Sequence, residues 1–308
     1  MERQHTLRDR PLRSREIRRA NEKMILEIMH RKNPIAQSEV ALRTGLQAST
    51  VFRIFRSLEE KNLIHEIETR RAEPDRKGRK PAYYTVNSSV AYAAGIDISS
   101  YGATLMLVDF TGSTVMQESV TYDKTEIGTE EMIDSIVRLI DHGLDSAKIS
   151  RESLLGIGIG APGIVDIKRG TIVRYSRFPG MESCPLRDEV EARFGVQVFV
   201  HNNTSVIALS EYRYGRARGK NSLVAFLIRA GVGGAYINDG QIFESQGKTA
   251  FEAGHLAVDM NIPLEAGEGT ATVEDFVSEG AILKSVAEQT DRVRDWKDLL
   301  YCLETRDE

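Results

Sequence analysis

After Asn33-Pro34, which breaks a helical pattern, the chain reads IAQSEVALRTGLQASTVFRIFRSLEEKNLI, a helix, a turn and a second helix. The turn is Thr44, Gly45 and Leu46, and Gly45 supplies the tight bend that lets the second helix cross the first. Val51, Ile54, Phe55 and Leu58 fall at i, i+3, i+4 and i+7, so one face of the second helix is apolar and must be covered. The preceding segment NEKMILEIMHRKN, with Met24, Ile25, Ile28 and Met29 on one face, predicts a core helix that can cover it. The opposite face of the second helix carries Gln47, Ala48, Ser49, Thr50, Arg53 and Arg56. Amide, hydroxyl and guanidinium groups at a helix start donate hydrogen bonds in fixed directions, as base edges and phosphates require.

The run LIHEIETRRAEPDRKGRKPAYYTV alternates a short strand, a basic loop and a second strand, the pattern of a wing behind a recognition helix. Arg76, Lys77 and Arg79 crowd that loop, and Gly78 lets its backbone approach a groove. Residues 1–80 hold 20 Lys and Arg against 12 Asp and Glu, whereas the remainder holds 21 against 33. A solvated surface would give the same balance, but with the helix and wing it predicts that the head meets a polyanion. Double-stranded DNA is the expected partner.

With 308 residues, two or three cores are expected. Apolar residues are 41% and no apolar run approaches a membrane span, and the basic start MERQHTLRDRPLRSREIRR lacks a signal peptide's apolar core. The expectation is a cytoplasmic protein without a membrane partner. Cys184 and Cys302 are too few for a disulfide framework or a cysteine-rich metal site, and read as packing residues.

The Thr-Gly-Leu turn, Ser-Thr-Val at 49–51, Asn-Leu-Ile at 62–64 and Gly-Arg-Lys-Pro at 78–81 resemble the winged helix-turn-helix of the ROK family of repressors and sugar kinases. The implied fold class is α/β, with the winged head followed by an actin-like, ribonuclease H-like body of the sugar-kinase type. The segment AAGIDISSYGATLMLVDFTGSTV reads as two strands around a turn, with Gly112 ready for a hairpin. In kinases of this kind the first turn has the form Asp-Ile-Gly-Gly-Thr, and the Asp helps hold magnesium. Asp97 remains here, but Ser99, Ser100 and Tyr101 follow, so Asp97 reads instead as a turn-capping residue. LLGIGIGAPGIVD matches the family's glycine-rich loop, and IRAGVGGAYINDG its second phosphate loop, with Arg229 and Ala230 replacing Gly and Thr.

TAFEAGHLAVD matches a family signature in which Glu and His flank a sugar, here Glu252 and His255, and Glu274 closes the motif that follows. Carboxylates and imidazole accept hydroxyl protons, which suits a polyol. The family's cysteine-rich zinc motif is replaced, with Glu265, Gly267 and Thr272 at the cysteine positions, so no metal is expected. The apolar run VQVFV reads as a buried strand feeding a helix at HNNTSVIALSE. The family's Asn-Asp pair, whose Asp takes the proton from the sugar hydroxyl, is matched by Asn202 and Asn203. An amide can grip a hydroxyl but has no basic oxygen.

The resemblance therefore implies a repressor of sugar-utilisation genes, not an enzyme, with no cofactor. The expected sugar or sugar-phosphate contacts are Asn202, Asn203, Glu252, His255 and Glu274. The alternative is a sugar kinase with a regulatory head, using ATP and magnesium. Expected domains are a disordered basic arm over 1–20, the winged head over 21–88 and the sugar-sensing body over 89–308, shortened at its C-terminus. A homodimer or higher homo-oligomer is expected, and a partner subunit or altered packing would cover the incomplete second lobe.

Overall fold

A computed structural model describes residues 14–67, 82–122, 128–175, 181–245, 248–249, 251–263 and 270–305. Contacts divide the chain into two units, residues 1–93 with 107–115, and residues 94–106 with 116–308.

The first unit contains α1 (Ser14–Arg31), β1 (Ile35–Ala36), α2 (Gln37–Thr44), α3 (Ala48–Glu60), β2 (Ile64–Ile67) and β3 (Tyr83–Val86). The three strands form a sheet in the order β1-β3-β2, with Ile64 opposite Val86 and Ile35 opposite Tyr84. Gly45 sits between α2 and α3 in the left-handed region at φ 70°, and its N–H donates to the Ala41 carbonyl. The apolar stripe of α3 closes on Ile25 and Met29 of α1, each such side chain contributing about 1.5–3 kcal/mol on burial. Phe55 meets Tyr84 edge-on at 4.9 Å between ring centroids.

The basic arm expected over 1–20 is helical from Ser14 onward. Arg18 explains why: it donates to Glu22 Oε1 at 3.1 Å and to Ser57 Oγ of α3 at 2.9 Å, while Lys61 Nζ meets Glu22 Oε2 at 3.0 Å. Burial pushes the Glu22 carboxyl up, but Lys61 and Arg18 together outweigh it and hold it below the ordinary value. Residues 107–115 also pack with this unit, because the Phe110 ring lies edge-on to His30 at 5.4 Å and its N–H donates to the Ser88 carbonyl.

The second unit is built on β4 (Tyr92–Ser99), β5 (Gly102–Asp109), β6 (Thr114–Thr121), α4 (Thr129–Ser146), β7 (Leu154–Ala161), β8 (Ile164–Asp166), β9 (Thr171–Arg174), β10 (Glu182–Cys184), α5 (Leu186–Phe194), β11 (Gln197–Asn202) and α6 (Asn203–Tyr214). It continues through β12 (Ser222–Ile228), β13 (Val232–Asn238), β14 (Gln241–Ile242), β15 (Glu244–Ser245), β16 (Lys248–Thr249), β17 (Ala257–Pro263), β18 (Thr270–Thr272), α7 (Glu274–Val277), α8 (Glu279–Ala287) and α9 (Trp296–Thr305). The main sheet runs β11-β7-β4-β5-β6, with β11 parallel to β7. Gly112 makes the expected β5–β6 turn at φ 85°. Amphipathic α4 buries Met132, Ile136 and Ile140.

Three further sheets, β10-β9-β8-β16-β15, β12-β13-β14 and the two-stranded β17-β18, complete the frame among the described residues. Ala208 of α6 packs with Ala235 and Ile237 of β13. The strand expected to be wholly buried differs: Val198 and Val200 are buried, but Phe199 is 62% exposed. Successive side chains of β11 point to opposite faces of the sheet, and the face bearing Gln197 and Phe199 is the open one. Among the described residues, no helix is long and apolar enough to cross a membrane.

Candidate functional site

Gln47 caps α3, its carbonyl accepting from the N–H groups of Thr50 and Val51. Gln47, Ala48, Ser49, Arg53 and Arg56 are exposed and Thr50 is half-buried, so each expected DNA-contact residue of α3 is at least partly accessible. Arg56 pairs with Glu60 one turn on, at 3.1 Å, whereas Arg53 makes no ion pair among the described residues. Thr50, Arg53 and Arg56 also border a cavity of about 500 Å³ shared with Ser14 and Arg18 of α1. Arg76, Lys77 and Arg79 lie outside the described residues.

A cavity of about 250 Å³ opens in the second unit. Its walls are the β4–β5 turn at Ser99 and Ser100, the β7–β8 turn at Pro162 and Gly163, and the end of β9 at Arg174 and Tyr175. The start of α6 and the β12–β13 turn complete it. Asn202, Asn203, Glu252, His255 and Glu274 all line it, so five residues spread over 73 positions of sequence converge on one space.

The two asparagines are largely committed to holding the fold. Asn202 caps α6, its Oδ1 accepting from Ser205 N–H at 3.2 Å and its Nδ2 donating to the Gly163 carbonyl at 3.1 Å. Asn203 Nδ2 donates to the Ile98 carbonyl of β4 at 3.2 Å, and its Oδ1 accepts from Thr204 N–H at 2.8 Å. Together they tie the start of α6 to two other walls of the cavity. Their neighbour His201 accepts the Asn202 N–H on Nδ1 at 2.8 Å, which leaves Nε2 to carry the ring proton and donate to Glu244 at 3.0 Å.

Glu274 Oε2 accepts from Val232 N–H at 3.1 Å. A Cβ on Gly231 would come within 2.9 Å of that oxygen and one on Gly254 within 3.1 Å, so two glycines make room for the carboxylate. Glu252 and His255 flank the short turn Ala253–His255 and are exposed. The neighbouring Asp275 carboxyl lies below its ordinary value because Thr272 N–H and Oγ1 both donate to it, with a further contribution from His255.

Asp97 is not a turn cap. It stands within β4, and its Oδ2 meets Arg229 Nη2 at 2.7 Å. Arg229 is itself pinned, its N–H donating to the Gly231 carbonyl and its carbonyl accepting from Glu279 N–H. Asp97 Oδ1 is buried without a partner among the described residues. A carboxylate already neutralised by a guanidinium does not fit a magnesium ion, which asks for several free oxygen ligands. Glu265 and Gly267 of the replaced zinc motif lie outside the described residues. Thr272 is bonded to Asp275 and offers no soft ligand, so that position does not fit zinc. Among the described residues no group of three or more His, Cys, Asp or Glu is placed to hold a metal ion.

Arg174, Tyr175 and Thr204 also line the cavity, and sequence reasoning missed them. Arg174 ends a short strand and belongs to no motif, so no local signal marks it. Asp97 and Arg229 are each visible as departures from the family pattern, but their pairing spans 132 residues.

The pattern of the ROK family matches residues 93–307, and that of a winged helix-turn-helix DNA-binding domain matches residues 18–65. The xylose repressor of Bacillus spizizenii is 26% identical over 278 residues, which cover 90% of this chain and 70% of the repressor. The DNA-binding transcriptional repressor Mlc of Escherichia coli is 24% identical over 247 residues, covering 79% of this chain and 59% of Mlc. A solved ROK family transcriptional regulator, a homologue of E. coli Mlc, matches with a TM-score of 0.69 at 20% identity, over 89% of this chain and 68% of that one. A ROK family glucokinase from Streptomyces griseus, solved with glucose and AMPPNP, matches with a TM-score of 0.56 at 25% identity, over 65% and 61% of the two chains. With its family pattern spanning residues 93–307 behind a winged helix-turn-helix, this chain belongs to the ROK family.

Proposed function

We propose that the protein is a transcriptional repressor of sugar-utilisation genes, acting in the cytoplasm, which binds operator DNA through α3 and the basic loop behind it and senses a sugar or sugar phosphate in the cavity of its body. The observation that carries this reading is the chemistry of that cavity. Hydroxyl acceptors at Glu252, His255 and Glu274 line it, yet Asn203 is an amide and Arg229 neutralises Asp97. A polyol would be held there with no side chain at Asn203 able to take its proton. The names of the relatives support the same reading, since a xylose repressor and Mlc align along most of this chain.

A two-fold dimer would set two recognition helices about 34–36 Å apart, one turn of DNA. The sugar regulates only through its different affinity for the DNA-competent and DNA-incompetent arrangements. Selection of bound fragments from genomic DNA, followed by fluorescence anisotropy with and without sugars, tests the reading. Absence of DNA affinity at low salt, or an affinity that no sugar alters, would sink it. The glucokinase likeness favours one rival, an ATP-dependent sugar kinase with a regulatory head. Robust turnover in an ATP-coupled assay across hexoses, pentoses and amino sugars would establish that rival instead.

A further inference from the structure

Arg174 ends β9 in the cavity wall, exposed, and its side chain makes no hydrogen bond or ion pair with any described residue. An unpaired arginine on an open surface is ordinary. This one shares a cavity of about 250 Å³ with a second arginine, Arg229, whose backbone is fixed through both its N–H and its carbonyl. The Arg229 guanidinium makes one side-chain bond among the described residues, Nη2 to Asp97. A guanidinium carries five N–H donors, accepts nothing and does not lose its charge at ordinary pH.

Sugar hydroxyls are already served at this site by acceptors, Glu252 and Glu274. Two guanidiniums are poorly used by a neutral polyol and well used by an anion, to which their planar forks donate charge-assisted pairs of hydrogen bonds. The carboxylates would in turn repel a ligand that was anionic throughout. The cavity thus asks for a ligand with hydroxyls and one anionic group. Its volume of about 250 Å³ lies just below the usual range of small-molecule pockets, roughly 300–1,000 Å³, which suits a single sugar ring.

We infer that the effector is a sugar bearing one anionic group, a phosphate ester or a carboxylate, and that Arg174 and Arg229 hold that group. The inference rests on the sugar-sensing reading. Because Asp97 partly neutralises Arg229, Arg174 carries the larger share of the selectivity.

The test is calorimetric titration of the full chain with glucose, xylose and N-acetylglucosamine, each against its monophosphate, with glucuronate and inorganic phosphate as further arms. At least one anionic sugar should bind about 10- to 100-fold more tightly than its neutral parent, the range expected for a hydrogen-bonded ion contact. Arg174→Ala should abolish most of that preference and Arg174→Lys should keep part of it. Arg229→Ala should reduce it less; since that change strips Asp97 of its partner, Arg174→Ala is the variant on which the test depends, with its melting curve as the folding control. Phosphate esters and glucuronate separate the two anion chemistries. Equal affinity for neutral and anionic sugars, or a preference that survives Arg174→Ala, overturns the inference and leaves sugar sensing standing. Binding of inorganic phosphate as tight as the esters keeps the anion subsite and removes the sugar reading. No binding by any arm overturns both, while DNA affinity reports separately on the head.

Discussion

Asn203→Asp replaces an amide by a carboxyl of the same shape, so it opens no cavity and isolates the electrostatics of the site. Asn203 is 8% exposed, and its Nδ2 donates to the Ile98 carbonyl at 3.2 Å. An ionised Asp would set a carboxylate oxygen against that carbonyl and leave both without a donor. Losing a buried hydrogen bond in this way costs about 1–3 kcal/mol, more where a charge is left. Thr204 N–H and the N-terminal end of α6 return about 1 kcal/mol by favouring negative charge. The net expectation is a loss of about 2 kcal/mol at pH 7.5, a fall of roughly 4–8 °C in the melting of the body, at about 2–4 °C per kcal/mol for a unit of this size.

The same free energy raises the folded carboxyl above its ordinary value, because burial and the facing Ile98 carbonyl disfavour the charged form. A raised folded pKa means that the protonated form is the stable one, because it again donates to Ile98. The variant should therefore match the parent below the ordinary carboxyl value of about 3.9, lose stability as pH rises through the raised folded value, and show the full deficit above that. Differential scanning fluorimetry of variant and parent at matched pH measures this. The variant should also gain no phosphoryl transfer, because Arg229 still occupies Asp97. An unchanged melting temperature at pH 7.5, or a deficit independent of pH, would refute the assigned hydrogen bond.

In the head, Arg53→Ala should relax sequence preference at a cost of about 1–3 kcal/mol in operator binding, measured by anisotropy across operator variants. Neutralising Arg76 and Lys77 together should weaken all sequences alike and flatten the slope of log affinity against log salt by about 2. Gly45→Ala should destabilise the head by about 1–2 kcal/mol in urea through left-handed backbone strain alone, since a Cβ there meets nothing within 4 Å. Despite burial, Lys61 and Arg18 hold the folded Glu22 carboxyl below its ordinary value, so its contribution is present above that ordinary value and lost as pH falls through the lower folded value. The difference in urea midpoint between parent and Glu22→Gln should accordingly shrink between pH 6 and pH 3.

The helix-turn-helix was legible in sequence because its rules are local. The stripe Val51, Ile54, Phe55 and Leu58 sets a helical face within three turns, and Gly45 is needed where the chain turns left-handed. The same holds for the helix start at HNNTSVIALSE and the β5–β6 turn at Gly112, which rest on neighbours a few residues away. Burial was less legible. Nothing in VQVFV says that one face of β11 is left open, which is why Phe199 is exposed, and no periodicity reveals that Arg18 reaches Ser57.

The sequence by itself determined the head's fold, the α/β pattern of the body and the chemical types that line the cavity. Tertiary structure alone decided what those groups do to one another. It seated Arg229 on Asp97, turned the amide of Asn203 toward the Ile98 carbonyl, and left Arg174 in the cavity wall without a counter-ion among the described residues. Local patterns record what each residue needs from its nearest neighbours, whereas a charge or a hydrogen bond is satisfied by whatever lies within about 3 Å in space, and the fold brings those partners together from distant parts of the chain.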